Sequence, residues 1–526
     1  MSKKRILIFS AFLLVALASV CYLSISPVKT GVELKGKQST TTDNIISTPK
    51  TNGATKLWNF STNTEAYGLA VSADGKYMAV GTKNPAKIYY FNTSDHGGKP
   101  MWSYETGGYE IYKIAISSNG SYIIAEGYSG SDLRAILLNS TKPTNGPKQE
   151  IWNVTYSEIS SVDISADGKY IAIGVGEDGV QVYNNSCPSA GGRDKTGDYI
   201  WAYDAPEPVK CAAISDDGKY VAAGSEVVKI EGQFDAIYFF NNSIKHYGEY
   251  NEQHSYNWSY FDNAHGDYSI DHIAISKDGY YIAGSSSSGI AFLLNASKPI
   301  SGPKQEKWIV NGSFIAPGVI TGVEFNTIDI SANGNYIVLG GAATFDESDW
   351  SGFVFLYDNQ YNSSGGRDKS DEMLWAYPTN ESVSTVSISD DGTYIVAGTG
   401  YDSTGDDGSP DENTVFLFKN PGKILANPPL NTAIFAYNTS HNVNSVSISS
   451  SGAYFAAAGE HGSGMTYLFY YDATTPTLLP AGDDDDDDDG GEPAAIPFGS
   501  YYLVFTLVTV VSLVLIYKRK AILNKK

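Results

Sequence analysis

Three cysteines in 526 residues, Cys21, Cys187 and Cys211, rule out a disulfide-stapled scaffold. A bridge between Cys187 and Cys211 is one open pairing, yet a single bridge does not organise a chain of this length. Histidine is scarce as well, at seven, and no zinc signature, nucleophile elbow or phosphate-cradling glycine loop occurs. Positive charge is the third shortage. Lys and Arg number 36 against 58 Asp and Glu, a formal net charge of −22, the opposite of the basic surface that nucleic acid requires. Charged residues make up only 18% and hydrophobic ones 42%, the balance of a folded chain. The interior lacks long apolar runs, and the two that exist stand at the ends.

Those two runs read as membrane signals. Lys3, Lys4 and Arg5 precede apolar residues from Ile6 to Tyr22, with Ala16-Leu17-Ala18 inside. This is the layout of a secretory signal peptide over 1–24, with an uncleaved anchor as the alternative. A polar linker, 25–55, follows. Near the other end, Phe498 to Tyr517 carries no charge and is long enough to span a bilayer. The basic tail 518–526 behind it begins Lys518-Arg519-Lys520 and is expected in the cytoplasm. The acidic segment 473–497, with Asp483 to Asp489, reads as a self-repelling stalk. The body of the chain is thereby expected outside the cell, on a single-pass anchor. Thirteen Asn-x-Ser/Thr sequons agree, and Asn92, Asn139, Asn184, Asn241, Asn295, Asn362 and Asn438 are the candidate glycan acceptors. Asn- and Ser-rich sequence also makes sequons by chance. The tail, with Pro497-Phe498-Gly499 before the span, resembles the C-terminal anchoring tails of archaeal surface proteins.

Between the ends, one motif recurs eight times. Its third copy is Val162-Asp163-Ile164-Ser165-Ala166-Asp167-Gly168-Lys169-Tyr170. The Ser recurs at 72, 117, 165, 215, 276, 331, 389 and 449, always with Gly three residues on and Tyr five residues on. Copies 45 to 61 residues apart signal a propeller or a related repeat array. Within one copy, alternating Val162 and Ile164 predict a strand, Asp167-Gly168 a hairpin turn, and Tyr170 to Gly174 a second strand. Val180 to Tyr183 and Tyr199 to Tyr203 supply a third and a fourth. Four short antiparallel strands make one blade, and small residues such as Ala172 and Gly174 suit its narrow part.

The fourth strand is marked by Trp58, Trp102, Trp152, Trp201, Trp258, Trp308 and Trp375, with Phe435 in the eighth place. Repetition in every blade favours packing between blades over an aromatic cage. The first Trp strand, Leu57 to Phe60, precedes any turn motif, whereas Thr466 to Tyr470 has no Trp strand after it. The first strand should therefore complete the last blade and leave no open sheet edge. The predicted fold is all-β, an eight-bladed β-propeller over 56–472 closed by its N-terminal strand, followed by a C-terminal transmembrane helix over 498–517.

A larger unit repeats too. Leu137-Leu138-Asn139 returns as Leu293-Leu294-Asn295, and Gly191-Gly192-Arg193-Asp194-Lys195 as Gly365-Gly366-Arg367-Asp368-Lys369. Phe91-Asn92 with Trp102-Ser103-Tyr104 returns as Phe240-Asn241 with Trp258-Ser259-Tyr260. Blades one to three are duplicated as four to six; blades seven and eight stand outside.

The hairpin Ile-Ser-x-Asp-Gly-x-Tyr resembles that of WD-repeat-type and related archaeal surface propellers. The segment Ile88 to Glu105, with Gly98-Lys99-Pro100-Met101-Trp102, is similar to quinoprotein-type repeats, which also come in eights. The Gly-His and Trp-Asp pairs of WD repeats are missing. So are the vicinal cysteines and calcium-centred pocket of quinoprotein dehydrogenases, and the Asp boxes of sialidases. The resemblance implies a fold, not an activity.

Chemistry is sparse. Long acidic loops in blades six and seven hold Asp346, Glu347 and Asp349, then Asp402, Asp406, Asp407 and Asp411. The last four are the candidate Ca²⁺ ligands, though the spacing of a full calcium loop is absent and a solvated loop is the alternative. His265, Asp267, Asp271 and His272 cluster before blade five, as metal or proton-transfer candidates or as surface polarity. No cofactor other than Ca²⁺ is expected. An enzyme would line its funnel with charged residues from the first strands. Ala212, Ala213, Ala274 and Ser387 there point to a non-enzymatic surface module that binds protein or glycan. The alternative is an extracellular quinoprotein-like oxidoreductase or a hydrolase with its site at the central channel.

Overall fold

A computed structural model describes residues 53–141, 150–186, 193–226, 237–242, 258–260, 269–296, 306–312, 320–345, 349–360, 369–370, 372–401, 413–424, 431–439, 441–459 and 464–473. Within them 32 strands form eight four-stranded antiparallel sheets. Seven blades are built from consecutive strands, over 66–105, 110–156, 161–203, 209–260, 272–311, 320–379 and 382–438. Blade eight takes three strands from 443–471 and its outermost from Ala54–Ser61. Trp58 pairs with Leu468 and Phe60 with Thr466, so the predicted closure is present. The expected membrane helix, signal segment and stalk lie outside the described residues.

The recurrent motif folds into one turn with a defined hydrogen-bond set. In blade three, the Gly168 N–H donates to Ser165 O at 2.8 Å. Ser165 Oγ donates to Asp167 Oδ1 at 2.7 Å and accepts the Tyr170 N–H at 3.0 Å. Asp167 Oδ1 also accepts the Lys169 N–H. Ser165 Oγ and Asp167 Oδ1 thus satisfy the turn's own N–H groups, while the Ala166 N–H and carbonyl bond to neighbouring blades.

Gly and Tyr recur for a different reason. Gly168 has φ 72°, and a Cβ there would stand 2.3 Å from Cδ2 of Tyr122 in the preceding blade. The same contact joins Gly218 to Tyr170, and Gly75 to Tyr454 across the closure. The motif is a joint between blades as much as a turn within one.

The tryptophans lie in the outer seams. Trp152 packs on Tyr183 of the next blade at 5.5 Å, and its Nε1–H donates to Asn184 O at 2.9 Å. Trp308 repeats this on Tyr357 and Asp358 O, three blades on. Trp102 and Trp258 differ in the same way from the rest, each stacking on its own blade's third strand at 4.9 Å. Lys195 and Lys369 lie buried 5.7 Å and 5.8 Å from the centres of the Trp152 and Trp308 rings. The duplication of three blades is therefore visible in the packing.

Candidate functional site

Each blade's first strand borders the central channel. It is an edge strand, so alternate N–H groups have no partner in their own sheet. Polar side chains of the preceding blade answer several of them. Ser447 Oγ accepts the Val71 N–H at 3.0 Å, and Thr327 Oγ1 the Val386 N–H at 3.3 Å. Asp163 and Asp329 do this with carboxylates. Asp163 accepts from Ile164 within its strand and from Ile214 in blade four, both at 2.8 Å. Asp329 accepts from Ile330 at 2.8 Å and from Ile388 in blade seven at 3.0 Å. The two occupy equivalent positions of the duplicated unit.

Asp163 and Asp329 are both half-buried. Burial pushes Asp163 up to about 7, against the lowering by its two N–H donors, and the charges of Asp216 and Asp329 push the same way. Burial likewise pushes Asp329 up to about 6, with Asp390 adding to it.

One residue beyond each motif Ser, the turns meet around the axis. Ser118 N–H donates to Ala166 O, Ala166 N–H to Asp216 O, and so on round to Ser450 N–H on Ala73 O. Asp74 N–H on Ser118 O completes a ring of eight such bonds between 2.9 and 3.2 Å. Lys277 reaches across this ring. Its Nζ stands 3.0 Å from Asp216 Oδ2 in blade four and 2.7 Å from Asp390 Oδ2 in blade seven. Ser450 Oγ of blade eight lies at 3.4 Å. The hairpin end of the channel is bridged by this clamp.

Further along the axis stand Lys113 and His272, both exposed to the channel. The Lys113 ammonium donates to Ser160 O of blade three. Burial, aided by the Lys113 charge, pushes His272 down to about 4, with Asp271 opposing. Cys211 is a free, buried thiol donating to Ile270 O at 3.1 Å. Burial pushes it up to about 12, which makes it inert as a nucleophile. Glu126 stands in register with Lys113, is buried, and its Oε2 has no hydrogen-bond partner.

The channel is more charged than its small residues led one to expect. Ala213, Ala274 and Ser387 are there, but Lys113, Asp163, His272 and Asp329 also stand on first strands. An alternation that reads as strand pattern does not reveal that Asp163 faces an axis. The signal that could have found it is Asp329, its counterpart in the duplicated blade. His272 lies in the channel wall and not among surface loop residues. Asp271 accepts the Ser287 N–H at 2.8 Å, and His265 and Asp267 lie outside the described residues.

The candidate Ca²⁺ ligands Asp402, Asp406, Asp407 and Asp411 also lie outside the described residues, as do Asp346, Glu347 and the side chain of Asp349. Among the candidate glycan acceptors, Asn92, Asn139, Asn184, Asn241 and Asn295 end third strands, and Asn438 ends a fourth. Asn362 is outside the described residues. Asn139 Oδ1 accepts the Thr141 N–H at 2.9 Å and its Oγ1–H at 2.6 Å, and Asn92 treats Ser94 alike. The Asn-x-Ser/Thr pattern therefore closes an Asx turn at the strand end, whatever glycan it carries.

The family model described as WD domain, G-beta repeat, matches residues 373–405, from the fourth strand of blade six into blade seven. Among solved structures, the chain is similar to one titled "Crystal structure of Myceliophteria_thermophila Cps50 (Swd1) beta-propeller domain", at 10% identity. That alignment covers 80% of this chain and 100% of the other, with a TM-score of 0.46. No curated protein matches.

Proposed function

We propose that this chain is a membrane-anchored, extracellular binding module that holds protein or glycan partners on the loop face of its propeller without transforming them. The observation that carries this reading is where the recurrent side chains sit. Motif Ser and Asp close turns, motif Gly and Tyr join neighbouring blades, and most of the Trp rings fill the outer seams. What remains free to vary is the set of loops. On blades one and two that face carries aromatic rings suited to stacking against a sugar or an apolar side chain. Tyr67 and Tyr112 are in contact at 5.2 Å beneath Lys83, and Tyr128 is exposed. The uncharged span 498–517 supplies the anchor, the acidic segment 473–497 the stalk and the basic tail 518–526 the orientation, and the sequons supply glycan sites. Calcium held by Asp402, Asp406, Asp407 and Asp411 would stiffen one loop of the same face.

The test is capture of partners by the intact chain from surface extracts and on glycan arrays, with and without Ca²⁺. A Tyr67→Ala/Tyr112→Ala variant should keep its fold and lose the captured partner. Capture unchanged in that variant, together with turnover of an ester, glycoside or alcohol substrate, would replace the reading by an enzymatic one. The observation favouring that second reading is the presence of Lys113, Asp163, His272 and Asp329 on the inner strands, where a channel enzyme would place its charged groups.

A further inference from the structure

We propose that the loop face of blades one and two holds a neutral saccharide, stacked on the rings of Tyr67 and Tyr112 and hydrogen-bonded by Glu65, Glu110 and Lys83. The assignment rests on the loop-face binding reading and names the chemistry of what is bound there.

Five residues before the motif Ser, the first strands bulge. Among the described residues the extra residue is Tyr67, Tyr112, Lys210, Asn326, Ser384 or Asn444 in six of the blades. A bulge re-aims one side chain of its strand, here at equivalent positions around the channel mouth. Three blades spend that side chain on the next blade. Asn326 Nδ2 donates to Val383 O at 3.4 Å, Ser384 Oγ to Val443 O at 2.5 Å, and Asn444 Nδ2 to Ala66 O at 3.4 Å. Lys210 pairs with Glu226 at 3.2 Å. Blades one and two place aromatic rings there instead.

The duplicated blades differ at this position. Blade one and its copy, blade four, keep the same indole stacking, Trp102 and Trp258 each at 4.9 Å. Yet Tyr67 is replaced by Lys210, and Tyr112 of blade two by Asp271 of blade five. The copies share their packing and not their rim.

The rim of blades one and two is built twice from one pattern. In Glu65-Ala66-Tyr67 and Glu110-Ile111-Tyr112 the Tyr hydroxyl donates to the Glu carboxylate, at 3.4 Å and 3.2 Å. The two half-buried rings meet across the seam at 5.2 Å. Lys83 Nζ stands 4.9 Å and 5.9 Å from their centres and 2.7 Å from Glu65 Oε2. Tyr109, just before Glu110, has its ring centre 4.1 Å from the Arg134 guanidinium carbon. Tyr128, opposite Glu110 in register, is 41% exposed. A Cβ on Gly107 or Gly108 would meet nothing within 4 Å, so the approach to Tyr109 is open.

Charge decides the class of ligand. Lys83 and Arg134 balance Glu65 and Glu110, in a chain of net charge −22. An ionic partner of either sign would meet a like pair. An apolar side chain would strip water from ionised groups without replacing their hydrogen bonds, which is costly. A sugar ring offers a C–H face to the tyrosines. Its hydroxyls both donate and accept, so they suit ammonium and carboxylate alike.

The experiment titrates the full chain in detergent with cellotriose, mannotriose and chitotriose by isothermal calorimetry, beside hexalysine and hexaglutamate peptides. At least one trisaccharide should bind saturably, and neither peptide should. Tyr67→Ala and Tyr112→Ala should each weaken that binding by about tenfold, the worth of one stacked ring and its buried area. Glu110→Gln should also weaken it about tenfold, through one charge-assisted hydrogen bond. Lys210→Ala, at the equivalent bulge of blade four, should leave it unchanged. No trisaccharide binding, binding indifferent to the three rim substitutions, or a peptide bound in place of the sugar would each overturn the proposal. If an alanine variant fails to fold, Glu110→Gln against Lys210→Ala decides, and equal effects sink it. Protein capture that needs Tyr67 and Tyr112, with no sugar bound, overturns the saccharide and leaves the binding module standing. A bound sugar released as cleaved product overturns the non-enzymatic reading and leaves the saccharide site standing.

Discussion

Lys277 Nζ lies 2.7 Å from Asp390 Oδ2, although the two residues belong to blades five and seven. No sheet hydrogen bond connects those blades, so the contact is a brace across the axis. It ties together blades that otherwise communicate only through the seams between them.

Lys277→Met should remove that brace and leave Asp216 and Asp390 facing each other. All three side chains are about a third exposed, so the loss is discounted to about 1 kcal/mol near neutral pH. It should shrink at pH 4.5, because burial raises Asp216 above the usual carboxylate range and its protonation weakens the pair. Urea denaturation at the two pH values reads the difference, and an equal loss at both would show that the charge pairs do not matter.

The channel carboxyls should make stability fall with rising pH over a defined window. Asp163 is held at about 7 against an ordinary 3.8, so the folded chain binds its proton more tightly than the unfolded one. Its favourable contribution is complete below about pH 4, declines toward 7 and is level above, with a slope of up to about 1.4 kcal/mol per pH unit. Asp329, raised to about 6, adds to the slope over the lower part of that window. Asp163→Asn should flatten the slope, which denaturant midpoints between pH 4 and 8 will register.

Gly168→Ala should cost about 2–4 kcal/mol. One part is the left-handed backbone at φ 72° and the other is the collision with Tyr122. Gly107→Ala is the control, with φ 76° and nothing within 4 Å of the new Cβ; it should cost about 1 kcal/mol. Equal losses in thermal unfolding would mean that the seam contact contributes nothing.

Replacing Trp by Phe separates ring packing from the indole hydrogen bond. Trp201 Nε1–H donates to Asn242 Oδ1 at 2.6 Å, whereas Trp258 Nε1 is buried without a partner. Trp201→Phe should therefore be more costly than Trp258→Phe by about 1 kcal/mol. Chemical denaturation of the two variants side by side measures it.

Much of this architecture was legible because propeller blades repeat. A Ser, a Gly and a Tyr at fixed offsets, eight times over, give the blade count. A Trp strand before the first turn motif gives the closure that pairs Trp58 with Leu468. The channel was harder to see. Asp163 sits in an ordinary alternating strand, and Lys277 occupies a turn position where other blades have Ala, Ser or Asp. Neither breaks a local rule. Their chemistry comes from residues in other blades, 51 positions away for Ile214 and 113 for Asp390, and no period in the chain encodes that meeting.

By itself, then, the sequence determined the number of blades, the strand that shuts the ring, and the duplicated triplet, because each follows from local hydrogen bonding and from side chains that recur in register. The closed ring decided the rest. Only when the eighth blade meets the first do the turns converge on one axis. That convergence turns scattered carboxylates and one lysine into neighbours in a confined, protein-walled space, where burial raises the carboxyls of Asp163 and Asp329.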